Sequence, residues 1–242
     1  MTWSILARDE AGRLGVAIAS RFFAVGALCL HSRAGVGVIA TQALVNPLYG
    51  PRGLALLQAG HDAASVVQAL TQADEGRDQR QLHVMPARGA AAAHTGAACV
   101  DWCGHAVHDD FSVAGNMLAG DQVLRATADA FIAGASQTLA ERLIAALQAG
   151  DATGGDKRGR QSAALRIQGS EDYPELDLRV DDHDNPFTEL QRLFDKSLER
   201  FQPFVSCLPS RARPAGELDR ARIEATIERF AATRSSSSRS PT

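Results

Sequence analysis

The first residues of the chain constrain the fold most, because strand patterns begin directly behind Met1. WSILA is typical of a buried strand, and RLGVAIAS is typical of a second strand that follows the polar turn RDEAG. Most domains leave their first few residues loose. The pattern therefore predicts an N-terminus held in a sheet, either for packing or because the terminus itself performs the chemistry.

Strand and helix patterns follow one another in blocks along the rest of the chain. Strands are predicted at 35–44, RQLHVM, AAAAHT, SVAGNML, SAALRIQ and ELDLRV, and helices at 52–59, 63–73, 122–133, 139–149 and 186–204. Small residues on the early strands allow two sheets to stack closely. Short connections favour antiparallel pairing, and the amphipathic helices must cover the sheets. We expect an α+β fold with helices outside a core of two mainly antiparallel sheets.

The domain organisation is predicted from the absence of an internal repeat or a dividing linker. Residues 1–207 are expected to form one domain, and residues 208–242 a C-terminal extension. The extension is predicted to be helical near 218–230, and its end, TRSSSSRSPT, is disordered by composition. The apolar face of the helix at 186–204 is expected to be core or the seam of a homodimer.

Charge and composition exclude several classes of partner. Lys and Arg total 25 and Asp and Glu 28, so the net charge is −3 and nothing favours nucleic acid or an acidic membrane surface. No segment approaches the roughly 20 apolar residues that span a bilayer, and the N-terminus lacks the basic-then-apolar order of a secretory signal. The four cysteines do not make a disulfide framework. We expect a cytoplasmic protein with reduced thiols.

Thr2 is the candidate nucleophile. Removal of Met1, which is usual before a small residue, leaves a hydroxyl and an α-amine on one residue. The pKa of an α-amine is ordinarily about 7.7–8.0, so this group can take the hydroxyl proton near neutral pH. Such chemistry needs a rigid strand and donors for the oxyanion. The alternative is that Thr2 is merely tolerated after Met1.

The chain resembles the bacterial DUF1028-type family of the Ntn-hydrolase (N-terminal-nucleophile hydrolase) superfamily, over roughly residues 1–168. The matching stretches are MTWSILARD, LGVAIASRFFAVGALC, AGVGVIATQALVNPLYGPRGL, AAHTGAACVDWCGH, FSVAGNMLAG and GGDKRGRQSAAL. The resemblance implies a four-layer αββα sandwich, a threonine nucleophile exposed by removal of Met1, and hydrolysis of a small, non-peptide amide.

One departure separates the chain from proteasome-type relatives, which place a lysine between the second and third strands. No lysine occurs here before Lys157. Arg33 lies in that region, but an arginine stays charged and cannot act as the base. The terminal amine must then carry the base role, and a proteasome-like peptidase is disfavoured.

Further site candidates lie at strand ends and in one polar loop. Candidates for orienting Thr2 or binding the oxyanion are Ser20, Asn46 and Asn116, each of which also fits ordinary turn or strand-end chemistry. The loop GGDKRGRQ is expected to present polar groups to a substrate, or to be merely solvated. Candidate substrate-binding residues are Arg21, Arg52, Asp156, Arg158 and Gln161. The arginines suit a carboxylate-bearing amide.

CVDWCGHAVH is the only metal-like cluster in the sequence. In an alternating strand Cys99, Cys103 and His105 share a face and His108 does not. We expect no metal and no cofactor here, with buried thiols as the simpler interpretation.

The sequence therefore predicts an amidohydrolase that acts on a small linear or cyclic amide through an acyl-enzyme on Thr2. Two alternatives remain: a non-catalytic Ntn-fold protein for binding or assembly, and a metallohydrolase that uses Cys99 and His105.

Overall fold

The structure is a computed structural model that describes residues 2–237. The strands are β1 (Thr2–Arg8), β2 (Leu14–Ser20), β3 (Leu30–Arg33), β4 (Gly37–Ala43), β5 (Arg80–Pro86), β6 (Ala92–Thr95), β7 (Trp102–Val107), β8 (Phe111–Leu118), β9 (Ser162–Gln168) and β10 (Leu176–Val180). The helices are α1 (Val25–Cys29), α2 (Tyr49–Gln58), α3 (Ala63–Gln72), α4 (Gln122–Ala133), α5 (Leu139–Ala152), α6 (Pro186–Glu199), α7 (Phe201–Val205) and α8 (Arg220–Ser237).

The chain divides into two compact units, Met1–Leu190 and Gln191–Thr242. The division falls inside α6. The single domain expected over 1–207 stays a prediction, because compactness alone does not test which part folds independently. In the second unit, α8 continues to Ser237 and so extends into the segment expected to be disordered. The last residues of that segment lie outside the described part of the chain.

The first unit holds two antiparallel sheets. One is six-stranded, in the order β10-β9-β2-β1-β8-β7, and the other is four-stranded, in the order β3-β4-β5-β6. All described strand pairs are antiparallel. Helices α4 and α5 pack on the six-stranded sheet, α2 and α3 pack on the four-stranded sheet, and the two sheets face each other. The expected four-layer αββα sandwich is confirmed.

Strand β1 is central in the larger sheet and is buried on both faces. Leu6 points into the core between the sheets, where it joins Val16, Ile18, Val38 and Met85. A second apolar core lies between the four-stranded sheet and its helices. Burial on both faces explains why every residue of WSILA except Ser4 is apolar, instead of apolar residues alternating with exposed polar ones.

Helix α5 approaches the sheet closely because of a glycine. A Cβ built on Gly15 of β2 would lie 2.5 Å from Leu143 Cδ1 and 3.1 Å from Leu139 Cδ2, too close for a real side chain. The small residue therefore lets the leucines of α5 rest directly on β2. This contact fixes the outer face of the sheet that carries the N-terminus.

Candidate functional site

Thr2 is the first residue of β1 and is paired on both sides. Its register partners are Ser20, the last residue of β2, and Asn116 of β8. The Thr2 hydroxyl lies 3.1 Å from the Ser20 hydroxyl, and the residue is 7% exposed. The structure therefore brings together three of the residues predicted for the site, Thr2, Ser20 and Asn116.

The carbonyl oxygen of Thr2 is held by two buried side-chain amides. Gln42 Nε2 donates to it at 3.5 Å and Asn116 Nδ2 donates to it at 3.3 Å. Both amides also donate to Gln81 Oε1, at 2.7 Å from Gln42 and 3.0 Å from Asn116. Each NH₂ group has two hydrogens, so both are used. Asn116 is thus arranged to orient Thr2 and has no hydrogen left for an oxyanion.

Gln81 is the centre of this arrangement. Its Nε2 donates to Thr95 Oγ1 at 2.8 Å, and also faces the backbone carbonyls of Gly104 at 3.0 Å and Gly115 at 2.9 Å. Gln81 is fully buried. Its amide therefore makes hydrogen bonds to strands of both sheets next to Thr2. The acceptors around the amide nitrogen determine which way the amide is oriented.

His83 extends the network deeper between the sheets. Ser4 Oγ donates to Gln42 Oε1 at 2.8 Å, so His83 Nε2, 2.8 Å from Ser4 Oγ, must be the donor in that pair. His83 Nδ1 then accepts from Ser112 Oγ at 2.7 Å. Desolvation by burial lowers the pKa of His83 to about 3. The ring is neutral, with its proton on Nε2.

The result is a directed chain of hydrogen bonds that ends at the Thr2 carbonyl. Sequence reasoning missed Gln42, Gln81 and His83, although a signal was present. In the strand RQLHVM, the residues that follow Arg80 are apolar except for Gln81 and His83, which occupy alternate positions. Thr2 and Ser4 alternate in the same way in β1. Polar residues two apart in buried strands share a face and need partners across it.

Asp156 fastens the predicted polar loop beside the end of β2. Its side chain is fully buried, and it accepts from the backbone N–H of Arg21 at 3.0 Å and of Arg158 at 2.7 Å. The guanidinium of Arg158 lies 3.3 Å from the same carboxylate. The N–H of Gln161 donates to the Ser20 carbonyl at 3.1 Å. The loop is therefore built onto the Ser20 end of the site, and Asp156 faces the protein interior.

A polar cavity of about 340 Å³ lies at this end. It is lined by Arg21, Arg160, Gln161, Asp182, His183 and Asp184. Within it, Gln161 Nε2 donates to Asp182 Oδ1 at 2.9 Å. Cationic and anionic groups are mixed in its wall, so it has no single charge preference.

A second cavity, of about 450 Å³, lies on the β8 side of Thr2. It is lined by Ala43, Leu44, Gln79, Ala98, Cys99, Val100, Asn116 and Met117. Asn116 lines this cavity and also donates to the Thr2 carbonyl. We call the two hydrogen bonds from Gln42 and Asn116 to this carbonyl the clamp. We call this space the Asn116 cavity.

Asn46 and Arg52 lie in a different place. Asn46 donates to Asp74 at 2.9 Å, Tyr49 donates to the same carboxylate at 2.8 Å, and Arg80 pairs with it at 3.1 Å. Desolvation raises the pKa of Asp74, but these hydrogen bonds outweigh it and hold the pKa well below its usual range. Asn46, Tyr49, Asp74 and Arg52 line a cavity of about 710 Å³ between α2 and α3. The structure does not bring Asn46 or Arg52 into contact with Thr2.

The metal-like cluster is engaged in protein contacts. Cys103 Sγ lies 3.8 Å from the Cys99 carbonyl, His105 Nδ1 lies 2.8 Å from the Thr95 hydroxyl, and the His108 ring stacks on its aromatic neighbour. All four cysteines of the chain are free. Among residues 2–237 no three His, Cys, Asp or Glu side chains are grouped to hold a metal ion.

Arg33 and Lys157, the basic residues compared above with the proteasome-type lysine, also pair with other residues. Arg33 donates to Gln58 at 2.5 Å, and Lys157 lies 3.9 Å from Asp101. Within the described range, no helix is long and apolar enough to cross a membrane.

Sequence and structural similarity place the chain in a family. The family described as "Family of unknown function (DUF1028)" matches residues 2–190. The crystal structure of protein SPO2555 from Silicibacter pomeroyi, also described as DUF1028, is 34% identical with a TM-score of 0.83, over 90% of this chain and 96% of that chain. The chain belongs to the DUF1028 family.

A more distant likeness is to Anbu (ancestral beta-subunit) from Yersinia bercovieri. It covers 81% of this DUF1028 chain and 94% of Anbu, at 14% identity and a TM-score of 0.38. No curated protein matches this DUF1028 chain significantly.

Proposed function

We propose that this DUF1028 protein is an N-terminal-nucleophile hydrolase that cleaves a small amide through an acyl-enzyme on Thr2, formed after Met1 is removed. One observation carries the proposal: Thr2 is held in place on three sides. It begins a central strand that pairs with a neighbour on each side, its hydroxyl is hydrogen-bonded to that of Ser20, and its carbonyl accepts from Gln42 and Asn116. The αββα sandwich supports it, because the resemblance to Ntn hydrolases implies that architecture.

The reaction begins with attack of Thr2 Oγ1 on the amide carbonyl carbon. The hydroxyl proton passes to the free α-amine of Thr2, and the carbonyl oxygen becomes an oxyanion. When the carbon–nitrogen bond breaks, the α-ammonium returns the proton to the leaving amine. This leaves an ester between the acyl group and Thr2.

Hydrolysis of the ester reverses the roles. A water molecule gives a proton to the α-amine and attacks the ester carbonyl carbon. The bond to Oγ1 then breaks, and the alkoxide recovers the proton. The clamp on the Thr2 carbonyl serves both steps, since a fixed main chain keeps hydroxyl and amine in one geometry and removes the entropy cost of aligning them.

The test uses intact mass and an electrophilic probe. The mass of the purified protein should be lower than that of the full sequence by one methionine residue. A β-lactone should then acylate the wild type once, at Thr2, and also acylate Thr2→Ser. Thr2→Ala should give no adduct, whereas Thr188→Ala, which removes an exposed hydroxyl, should react like the wild type.

Retention of Met1, or an unchanged adduct in Thr2→Ala, would remove the mechanism. A non-catalytic binding or assembly protein would then be the better description. The cytoplasmic location, the homodimer and the carboxylate-bearing substrate stay predictions.

A further inference from the structure

We infer that the Asn116 cavity binds the acyl portion of the substrate and that this portion is uncharged and apolar. The inference rests on the proposed function of Thr2 and names the substrate class of the same site. It departs from the carboxylate-bearing amide that the arginines of the sequence suggest.

The position of the cavity makes it part of the site. Asn116 is the β8 register partner of Thr2, and its amide donates to the Thr2 carbonyl at 3.3 Å. Gln42, the other donor to that carbonyl, directly precedes Ala43 in the cavity wall. A molecule held in this space therefore lies next to the residues that fix the nucleophile.

The chemistry of the wall selects against charge. Ala43, Leu44, Ala98, Val100 and Met117 supply apolar surface. The polar members are the Gln79 and Asn116 amides and the Cys99 thiol, and no Asp, Glu, Lys, Arg or His of the described chain lines the space. A carboxylate would lose its hydration here without gaining an ion pair, which is costly, whereas each buried methylene is favourable.

None of the arginines proposed for a carboxylate lies in this wall. Arg21 lines the polar cavity, Arg52 lines the cavity between α2 and α3, and the Arg158 guanidinium is on Asp156. The polar cavity near Ser20 and the Asn116 cavity therefore differ in the residues that line them. Charged side chains line the first, and mainly apolar side chains line the second.

Backbone strain gives an independent indication. Ala43 and Met117 have φ of 68° and 54°, in the left-handed region that L-residues rarely adopt. They are two of the four non-glycine residues with positive φ in the described chain, and both line this cavity. Two backbone hydrogen bonds stabilise these strained positions. The N–H of Leu44 donates to the Gln79 carbonyl at 3.1 Å, and the N–H of Met117 donates to the Val100 carbonyl at 3.2 Å. Strain of this kind concentrates at binding and catalytic sites.

The volume fits a small ligand. About 450 Å³ lies within the usual range of roughly 300–1,000 Å³ for small-molecule sites. Leu44 and Val100 are 58% and 59% exposed, so they stand at the mouth of the cavity. Cys99, half-buried in the wall, provides a chemical reporter of occupancy that does not depend on catalysis.

The experiment measures protection of Cys99 from alkylation in a Thr2→Ala, Cys103→Ser background, where no reaction at Thr2 intervenes. Iodoacetamide is used at alkaline pH, because burial raises the pKa of Cys99. Cys29 and Cys207 are buried, and burial raises the pKa of Cys29 to about 12. The ligands are butanamide, hexanamide and adipamate, the last having six carbons and a terminal carboxylate.

Hexanamide should slow Cys99 alkylation at concentrations at which adipamate has no effect. The concentration for half-protection should fall about tenfold from butanamide to hexanamide, since two more methylenes are buried. Val100→Asp should abolish protection, and Val107→Asp, an exposed valine outside the wall, should leave it unchanged.

Equal or better protection by adipamate, or no protection by either ligand, would overturn the inference. The proposed function is tested separately by acylation of Thr2. If hexanamide protects Cys99 but no adduct ever forms at Thr2, the cavity is an apolar ligand site and the hydrolase mechanism fails.

Discussion

The hydroxyl oxygens of Thr2 and Ser20 lie 3.1 Å apart, at paired positions on the first two strands of the chain. Both residues are almost fully buried. A hydroxyl can donate once and accept twice, so this hydrogen bond restrains the side chain of Thr2 and leaves at least one lone pair on the Thr2 hydroxyl oxygen, whichever residue donates. The second strand therefore positions the group that the first strand presents.

Ser20→Ala should slow acylation of Thr2 by a factor of about 2 to 13, which corresponds to the loss of one hydrogen bond of about 0.5–1.5 kcal/mol. The rate of β-lactone adduct formation, followed by intact mass, measures the effect. Ser32→Ala is the matched control. Ser32 lies in the four-stranded sheet, and its hydroxyl also bonds to a side chain, that of Gln168. Equal rates for Ser20→Ala and wild type would show that Ser20 does not position the nucleophile.

Gln81→Leu should destabilise the protein by about 2 kcal/mol or more, because it leaves buried partners without their hydrogen bonds. Those partners include the amides of Gln42 and Asn116. Urea unfolding measures the loss, and Gln68→Leu on the exposed face of α3 should change stability by less than about 0.5 kcal/mol. If Gln81→Leu were as stable as wild type, the buried network would not contribute to the fold.

Much of the fold could be predicted from the sequence because it depends on local patterns. The helix at Gln122–Ala133 and the strand at Ser162–Gln168 have the bounds that periodicity and turn residues predict. The strand Trp102–Val107 was not among the predicted strands, since Gly104 interrupts its pattern and it lies at an edge of the sheet.

The site was less predictable because it depends on register across sheets. The sequence predicted Thr2, Ser20 and Asn116 as site residues, and strand register brings these three together. Asn46 was expected beside Thr2 and instead bonds to Asp74. The side chain of an asparagine in a turn follows its local partners, and the carboxylate that Asn46 meets is distant in sequence. Gln42 and Gln81 meet only when β4 and β5 pair and face β1, which no local pattern encodes.

His83 should make stability depend on pH. Its pKa is about 3 in the folded state, below the ordinary 6.5, because burial disfavours the charged ring. The unfolded state therefore binds more protons between these values, and stability falls as the pH falls from about 6.5 towards 3. This single group should contribute a loss of about 2 kcal/mol between pH 7 and pH 5.

Chemical unfolding of wild type and His83→Gln at several pH values measures this contribution. The slope in this window should be smaller for His83→Gln, and part should remain, because desolvation also lowers the pKa of His31 and His105. His61→Gln, at an exposed position, should keep the wild-type slope. An unchanged slope in His83→Gln would contradict a neutral, buried ring.

Asp156→Ala should release the loop at the Ser20 end of the site. The carboxylate accepts from the N–H groups of Arg21 and Arg158, and hydrogen bonds to a charged acceptor contribute about 1.5–3 kcal/mol each. Hydrogen exchange at these two amides should therefore accelerate roughly ten- to hundredfold, because local opening no longer breaks a strong bond. Trypsin should also cut faster after Arg158. Asp129→Ala, an exposed aspartate of α4, should change neither readout.

Because the N–H of Gln161 donates to the Ser20 carbonyl, Asp156→Ala should also slow acylation of Thr2. Faster exchange with an unchanged acylation rate would mean that the loop is anchored by Asp156 but does not support the nucleophile.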